Sequence, residues 1–149
     1  QAVMDVVSLF LNSEEFKNRI QIITRLDQGF YVFIDPVHLQ QILWNLIKNA
    51  AQAIPEKGKI VITLTSPRNN RIYLTIEDNG QGIDPEDARH IFDPFFTTKP
   101  EGTGLGLSII HRLIETYDGL IDFDSIPGKG TLFTIIFKPA KPVHHQTSA

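Results

Sequence analysis

Asp78-Asn79-Gly80-Gln81-Gly82-Ile83 and, further along, Gly102-Thr103-Gly104-Leu105-Gly106-Leu107 decide how this chain is read. The first block closes a run in which Ile72, Leu74 and Ile76 alternate with other residues, the period of a half-buried strand. The second leads into Leu105 to Ile114, whose apolar residues recur at helical spacing. A strand therefore ends on one glycine block and a helix begins on the other. Glycine has no Cβ and visits positive φ, so backbone at such blocks can approach a ligand and turn its amides onto phosphate oxygens. A helix N-terminus adds free N–H groups, which makes an anion site. Either block alone is an ordinary turn or linker. In this order they read as a nucleotide site closed by the segment between them.

Other phosphate motifs are excluded by inspection. No G-x-x-x-x-G-K-[ST] run occurs, and Gly102-Thr103-Gly104-Leu105-Gly106 lacks the Rossmann spacing. Gly128-Lys129-Gly130-Thr131 imitates a P-loop but lacks the upstream glycine and inserts Gly130 between lysine and threonine.

Working outward, Asp35 offers an N-cap with Pro36 at the first helical position. Leu39, Ile42, Leu43, Leu46, Ile47, Ala50, Ala53 and Ile54 then form a continuous apolar stripe closed by Pro55 and Gly58. Ile60, Ile62 and Leu64, followed by Ile72, Leu74 and Ile76, predict a hairpin around Pro67-Arg68-Asn69-Asn70. Val3, Val6, Val7, Phe10 and Leu11 predict a first helix, and Arg19–Leu26 with Tyr31–Ile34 predict a hairpin turning at Asp27-Gln28-Gly29. Asp84-Pro85 starts a short helix ending near Phe92, and residues 84–103 read as a mobile lid. After a helix over 104–117, Leu120–Asp124 and Thr131–Lys138 predict a last strand pair. Strands in pairs between helices argue for an α/β (α+β) two-layer sandwich, a mixed sheet of about five strands with about three helices on one face.

At 149 residues and 42% hydrophobic, the chain suits one domain over residues 1–138, with 139–149 as a disordered tail. The net charge of −3 with scattered Lys and Arg gives no support for nucleic-acid binding. Without cysteine there are no disulfides or thiolate metal sites. No run is long and apolar enough to cross a bilayer, and the helical start at Gln1 reads as a piece of something longer. The expected location is the cytoplasm, in a parent protein with or without a membrane anchor.

Asn45, Asn49 and Gln52 are spaced i, i+4, i+7 on one flank of the Pro36 helix. Alone they read as boundary residues making local hydrogen bonds. Together with Asn45-Leu46-Ile47-Lys48-Asn49-Ala50, Asp78 to Ile83, Phe92-Asp93-Pro94-Phe95-Phe96 and Gly102 to Leu107, the chain resembles the catalytic ATP-binding domain of two-component sensor histidine kinases, in the GHKL superfamily. The resemblance runs from about Asp35 to Phe137, and Gly128-Lys129-Gly130-Thr131 resembles the family's last glycine element.

That resemblance implies the Bergerat fold, ATP and Mg²⁺ as cofactors, and Asn49 as the metal ligand with Asn45 near the phosphates. It implies that Asp78 reads the adenine amine, joined by Thr131 through a water, with Gly80, Gly82 and Ile83 against the base. Gly102, Thr103, Gly104, Leu105, Gly106 and Leu107 then cradle the phosphates, with Lys48, Gln52, Phe92 and Lys99 lining the same site. Lys99 reads equally as a phosphate contact or a solvated loop lysine, and Asp78 also reads as a turn aspartate. The Phe residues read both as a small anchoring cluster and as a docking surface for the histidine-bearing helices.

Two departures matter. Hydrolytic members of the superfamily carry a Glu one turn before the metal Asn, whereas this chain has Asn45, and an amide is no general base. Gln52 stands where many sensor kinases have Lys or Arg. None of His38, His90, His111, His144 and His145 sits in an acceptor pattern, so the phosphoacceptor is expected on a dimerisation domain before Gln1. The implied partners are that domain and, indirectly, a response-regulator receiver, with a monomeric fragment and a homodimeric parent. A GHKL ATPase fragment and a non-catalytic nucleotide-sensing docking module remain the alternatives, and a serine-directed kinase of the anti-sigma type is a further relative.

Overall fold

Local pattern and long-range pairing together give the order α1 (Ala2–Leu11), β1 (Ile20–Leu26), α2 (Pro36–Gln52), β2 (Gly58–Thr65), β3 (Ile72–Asp78), α3 (Pro85–Ala88), α4 (Gly106–Thr116), β4 (Leu120–Ile126) and β5 (Gly130–Phe137). The computed structural model describes residues 2–14, 16–29, 31–66, 70–98 and 104–139.

The helix α2 is built as its sequence predicts. Asp35 is extended (φ −60°, ψ 129°), and its Oδ1 accepts the Val37 N–H at 2.8 Å ahead of Pro36. Ile42, Leu43, Leu46, Ile47, Ala50 and Ala51 are buried. Each large side chain of this kind contributes about 1.5–3 kcal/mol when removed from water. Past the helix end, Arg19 Nη1 donates to the carbonyls of Ile54 and Glu56, closing the chain reversal into β2.

The sheet has the order β1-β2-β3-β5-β4. β2 and β3 form the expected antiparallel hairpin, although residues 67–69 of its turn lie outside the described residues. β4 and β5 form the second antiparallel pair, and β3 joins β5 antiparallel. Ile62, Ile76, Phe133 and Phe123 are register partners on one face. That face carries most of the buried strand residues and receives α2 and α4, while α1 packs on α2.

Three expectations are corrected. Arg19–Leu26 and Tyr31–Ile34 do not form a hairpin, because β1 pairs parallel with β2 from Ile20↔Gly58 to Leu26↔Leu64. Tyr31–Ile34 contributes only an isolated bridge from Val32 to Pro139, which also places Pro139 within the fold instead of the tail. The residues 140–149 lie outside the described ones. A strand's alternation states which face is apolar but not which strand it meets. The helix begun at Asp84-Pro85 spans only Pro85–Ala88, because its four residues bury nothing that would hold further turns.

Two contacts set how α2 lies against α4. At one end Tyr117 Oη accepts the Asp35 N–H at 3.3 Å and lies 2.6 Å from His38 Nδ1. At the other, a Cβ on Gly106 would sit 3.2 Å from Asn45 Oδ1. The helices therefore run antiparallel over this stretch, and the start of α4 is delivered to the middle of α2.

Candidate functional site

The site grows from one row of the sheet. Ile60, Asp78, Thr131 and Ser125 are register partners across β2, β3, β5 and β4. This row continues the buried face, yet three of its four members are polar. Asp78 is 6% exposed and Thr131 5%, the two buried polar residues among those described. The Asp78 carboxylate accepts the Gly80 N–H at 2.9 Å and a backbone hydrogen bond from Thr131. Burial pushes its carboxyl above the ordinary value, opposed by those two donors and reinforced by the charge of Glu77. A carboxylate made more basic by its surroundings is a stronger acceptor for a ligand N–H.

The Asp78–Ile83 loop is laced between the end of α2 and the β4–β5 turn. Gln81 N donates to Ala53 O at 2.8 Å, Gly128 N donates to Gln81 O at 2.7 Å, and Ile83 N donates to Ser125 Oγ at 2.7 Å. A Cβ on Gly80 would overlap the Ala53 carbonyl, and at Gly82, where φ is +74°, a Cβ would overlap Ile126 O. Glycine is needed at both because the loop lies flush on its neighbours.

The second glycine block begins outside the described residues, which do not include Lys99, Gly102 or Thr103. Gly104 has φ +74°, and its carbonyl accepts the Phe95 N–H at 2.9 Å. Leu105, at the N-cap of α4, offers no side-chain hydrogen bond to the first turn. A helix N-terminus carries a partial positive charge. Leu107 and Ile83 pack partly against the core.

Between the two blocks lies the polar flank of α2. Asn45 and Asn49 are half-buried, whereas Lys48 and Gln52 are exposed. Asn45 Nδ2 donates to Gln41 O at 2.9 Å while its Oδ1 faces Gly106. Gly80 meets α2 at Ala53 and Gly106 meets it at Asn45. Eight residues at 1.5 Å rise separate those meeting points by roughly 12 Å, the scale from a nucleobase to its phosphates.

The aromatic segment divides. Phe92 packs on the core, 5.1 Å from the His111 ring and 5.8 Å edge-on to Phe123, and Phe96 also packs there. Phe95 is 74% exposed at φ +67°. Ser125 was missed from sequence, though it stands third in the inward alternation Ile121, Phe123, Ser125 where an apolar residue is due.

A mixed five-stranded sheet with a buried aspartate at the mouth of a glycine loop, facing an amide-bearing helix, defines an ATP-binding domain of the histidine-kinase type. The family model described as "Histidine kinase-, DNA gyrase B-, and HSP90-like ATPase" matches residues 34–141, and the chain belongs to that family. It is 39% identical over 147 residues to the signal transduction histidine-protein kinase AtoS of Escherichia coli (strain K12), covering 98% of this chain and 24% of that protein. It therefore spans about a quarter of that relative's length. The catalytic domain of the histidine kinase ThkA in a nucleotide-free form superposes with a TM-score of 0.79 at 33% identity, covering 92% of this chain and 90% of that one. Full-length ShkA in complex with AMPPNP superposes with a TM-score of 0.81 at 27% identity, over 96% of this chain and 30% of that one.

Proposed function

We propose that this domain binds Mg·ATP and donates the γ-phosphate to a histidine on a separate dimerisation domain, the autophosphorylation step of two-component signalling. The observation that carries the reading is the buried Asp78 carboxylate set beside Thr131 at the base end of α2, with the α4 start delivered to Asn45 at the other end. Asp78 accepts the exocyclic amine of adenine, and the Gly80 and Gly82 backbone lies along the base. The α4 N-terminus and the Gly104 backbone receive the phosphates. The complex of ShkA with AMPPNP, an ATP analogue, supports the assignment of the nucleotide.

The α2 flank fits Mg²⁺. An Asn carboxamide is a hard oxygen donor, and Mg²⁺ is ordinarily held by one or two protein groups, waters and substrate phosphates. Asn49 would hold the ion, which would supply positive charge to the phosphates when bound. The imidazole nitrogen of the acceptor attacks the γ-phosphorus, the bond to the bridging oxygen breaks, and ADP leaves with that electron pair. The chain's contribution is positioning. Asn45 offers no basic lone pair, so water is not activated at that position.

Calorimetric titration of ATP with and without Mg²⁺, on the wild type, Asp78→Asn and Asn49→Ala, tests the site. Asp78→Asn is expected to lose nucleotide binding and Asn49→Ala its Mg²⁺ dependence. Undiminished binding in both variants would sink the assignment. With γ-labelled ATP, label should appear only on an added dimerisation domain carrying the acceptor histidine. Steady phosphate release by the domain alone would favour an ATPase instead.

A further inference from the structure

Ser125 is the member of the polar sheet row to which the nucleotide reading gives no work. It stands on β4 as the register partner of Thr131, part-buried on the inward face. Its Oγ lies 2.9 Å from Thr131 Oγ1, 3.2 Å from Gly130 O and 2.7 Å from Ile83 N. A serine hydroxyl has one proton and two lone pairs. The Ile83 N–H occupies one lone pair, so the proton has two places to go. If it goes to Gly130 O, the Thr131 hydroxyl donates to Ser125 and turns only lone pairs outward. If it goes to Thr131 Oγ1, the threonine's own proton is released to point away from Ser125, on the strand position that is the register partner of Asp78. The two arrangements present opposite hydrogen-bonding character to a ligand.

An adenine suits one of them. With Asp78 taken as acceptor of the exocyclic amine, the reading on which this inference rests, the next group along that edge of the base is a ring nitrogen with a lone pair. It needs a donor, directly or through a water. We infer that Ser125 is a positioning residue for base selection: by donating to Thr131 Oγ1 it makes Thr131 a proton donor toward that ring nitrogen, while the Ile83 N–H holds the serine oxygen in place. Guanine carries a carbonyl in place of the amine and a protonated ring nitrogen beside it. It would set oxygen against the Asp78 carboxylate and donor against donor at Thr131.

The test is a double-mutant cycle on Ser125→Ala and Thr131→Val, titrating ATP and GTP by calorimetry. Each single variant should weaken ATP about tenfold, the effect of one buried hydrogen bond. GTP should change less than about twofold, and the double variant should bind ATP no worse than Thr131→Val, because the serine acts through the threonine. Ser125→Thr, which keeps the hydroxyl, should restore ATP affinity to within about twofold. A merely structural serine would weaken both nucleotides alike and additively, and that result overturns the inference. Should Ser125→Ala not fold, Ser125→Cys keeps the volume, weakens the hydrogen bonds and runs the same cycle. Loss of ATP binding in Asp78→Asn alongside an additive cycle removes only the role of Ser125. Intact binding in Asp78→Asn removes the adenine reading beneath it.

Discussion

Asp78→Asn should separate stability from binding, because the same burial acts on the two in opposite senses. In the folded chain Asp78 is 6% exposed and burial raises its carboxyl above the ordinary value of 3.8. A folded-state value above the unfolded one means the stabilising contribution is complete below about pH 3.8 and is lost as pH rises through the raised value. At neutral pH the ionised carboxylate is therefore a net cost to folding relative to its protonated form. Asparagine is neutral at every pH and keeps one carbonyl oxygen for the N–H of Gly80 or Thr131. The stability of the variant relative to wild type should consequently rise between about pH 3.8 and neutrality, as urea unfolding followed by circular dichroism at several pH values would record.

Binding should move the other way. A hydrogen bond to a charged acceptor is worth about 1.5–3 kcal/mol, and its removal leaves a ligand amine facing an amide. That corresponds to about a 10- to 150-fold loss of ATP affinity. Calorimetric titration at pH 7 measures it. A variant that binds ATP within about threefold of wild type, or one whose relative stability falls as pH rises, would refute the reasoning.

Gly104→Ala places a side chain at φ +74° against the Phe95 backbone, so it should cost at least about 1–2 kcal/mol in thermal unfolding and weaken ATP as the α4 start shifts. Asp35→Ala removes the α2 cap and should cost about 1 kcal/mol, read by urea unfolding, while leaving the site end of the helix in place. Leu46→Ala empties a fully buried position on α2 and should cost about 2–5 kcal/mol by the same measurement.

Much of the candidate site was legible because its elements are short and local. A cap at Asp35, a stripe to Ile54 and a glycine block at each end of a segment need only neighbouring residues to be recognised. The half-burial of Asn45 and Asn49 followed from their place beside the stripe. The role of Ser125 was not legible in the same way, because a single serine in a strand has no local signature. Only its register partnership with Thr131 and its hydrogen bond from Ile83 show it beside the site. The division between a packed Phe92 and an exposed Phe95 was likewise undecided, since nothing in Phe92-Asp93-Pro94-Phe95-Phe96 says where His111 and Phe123 lie.

The mixed sheet was expected for an incomplete reason. Pairs of strands between helices suggested it, yet the strand that makes it mixed is β1, which was expected in a hairpin with Tyr31–Ile34. A two-residue period specifies which side chains face inward, and that is a property of the chain alone. Which strand an edge meets depends on segments far away in sequence and on what α2 can cover once it crosses between β1 and β2. By itself the sequence determined α1, α2 and α4, the strand faces and the glycine blocks and amides from which a nucleotide site is proposed. Tertiary structure decided the strand order, brought Asp78, Thr131 and Ser125 into one row of the inward face, and set α4 against Asn45, because desolvation and hydrogen-bond geometry exist only once distant segments meet.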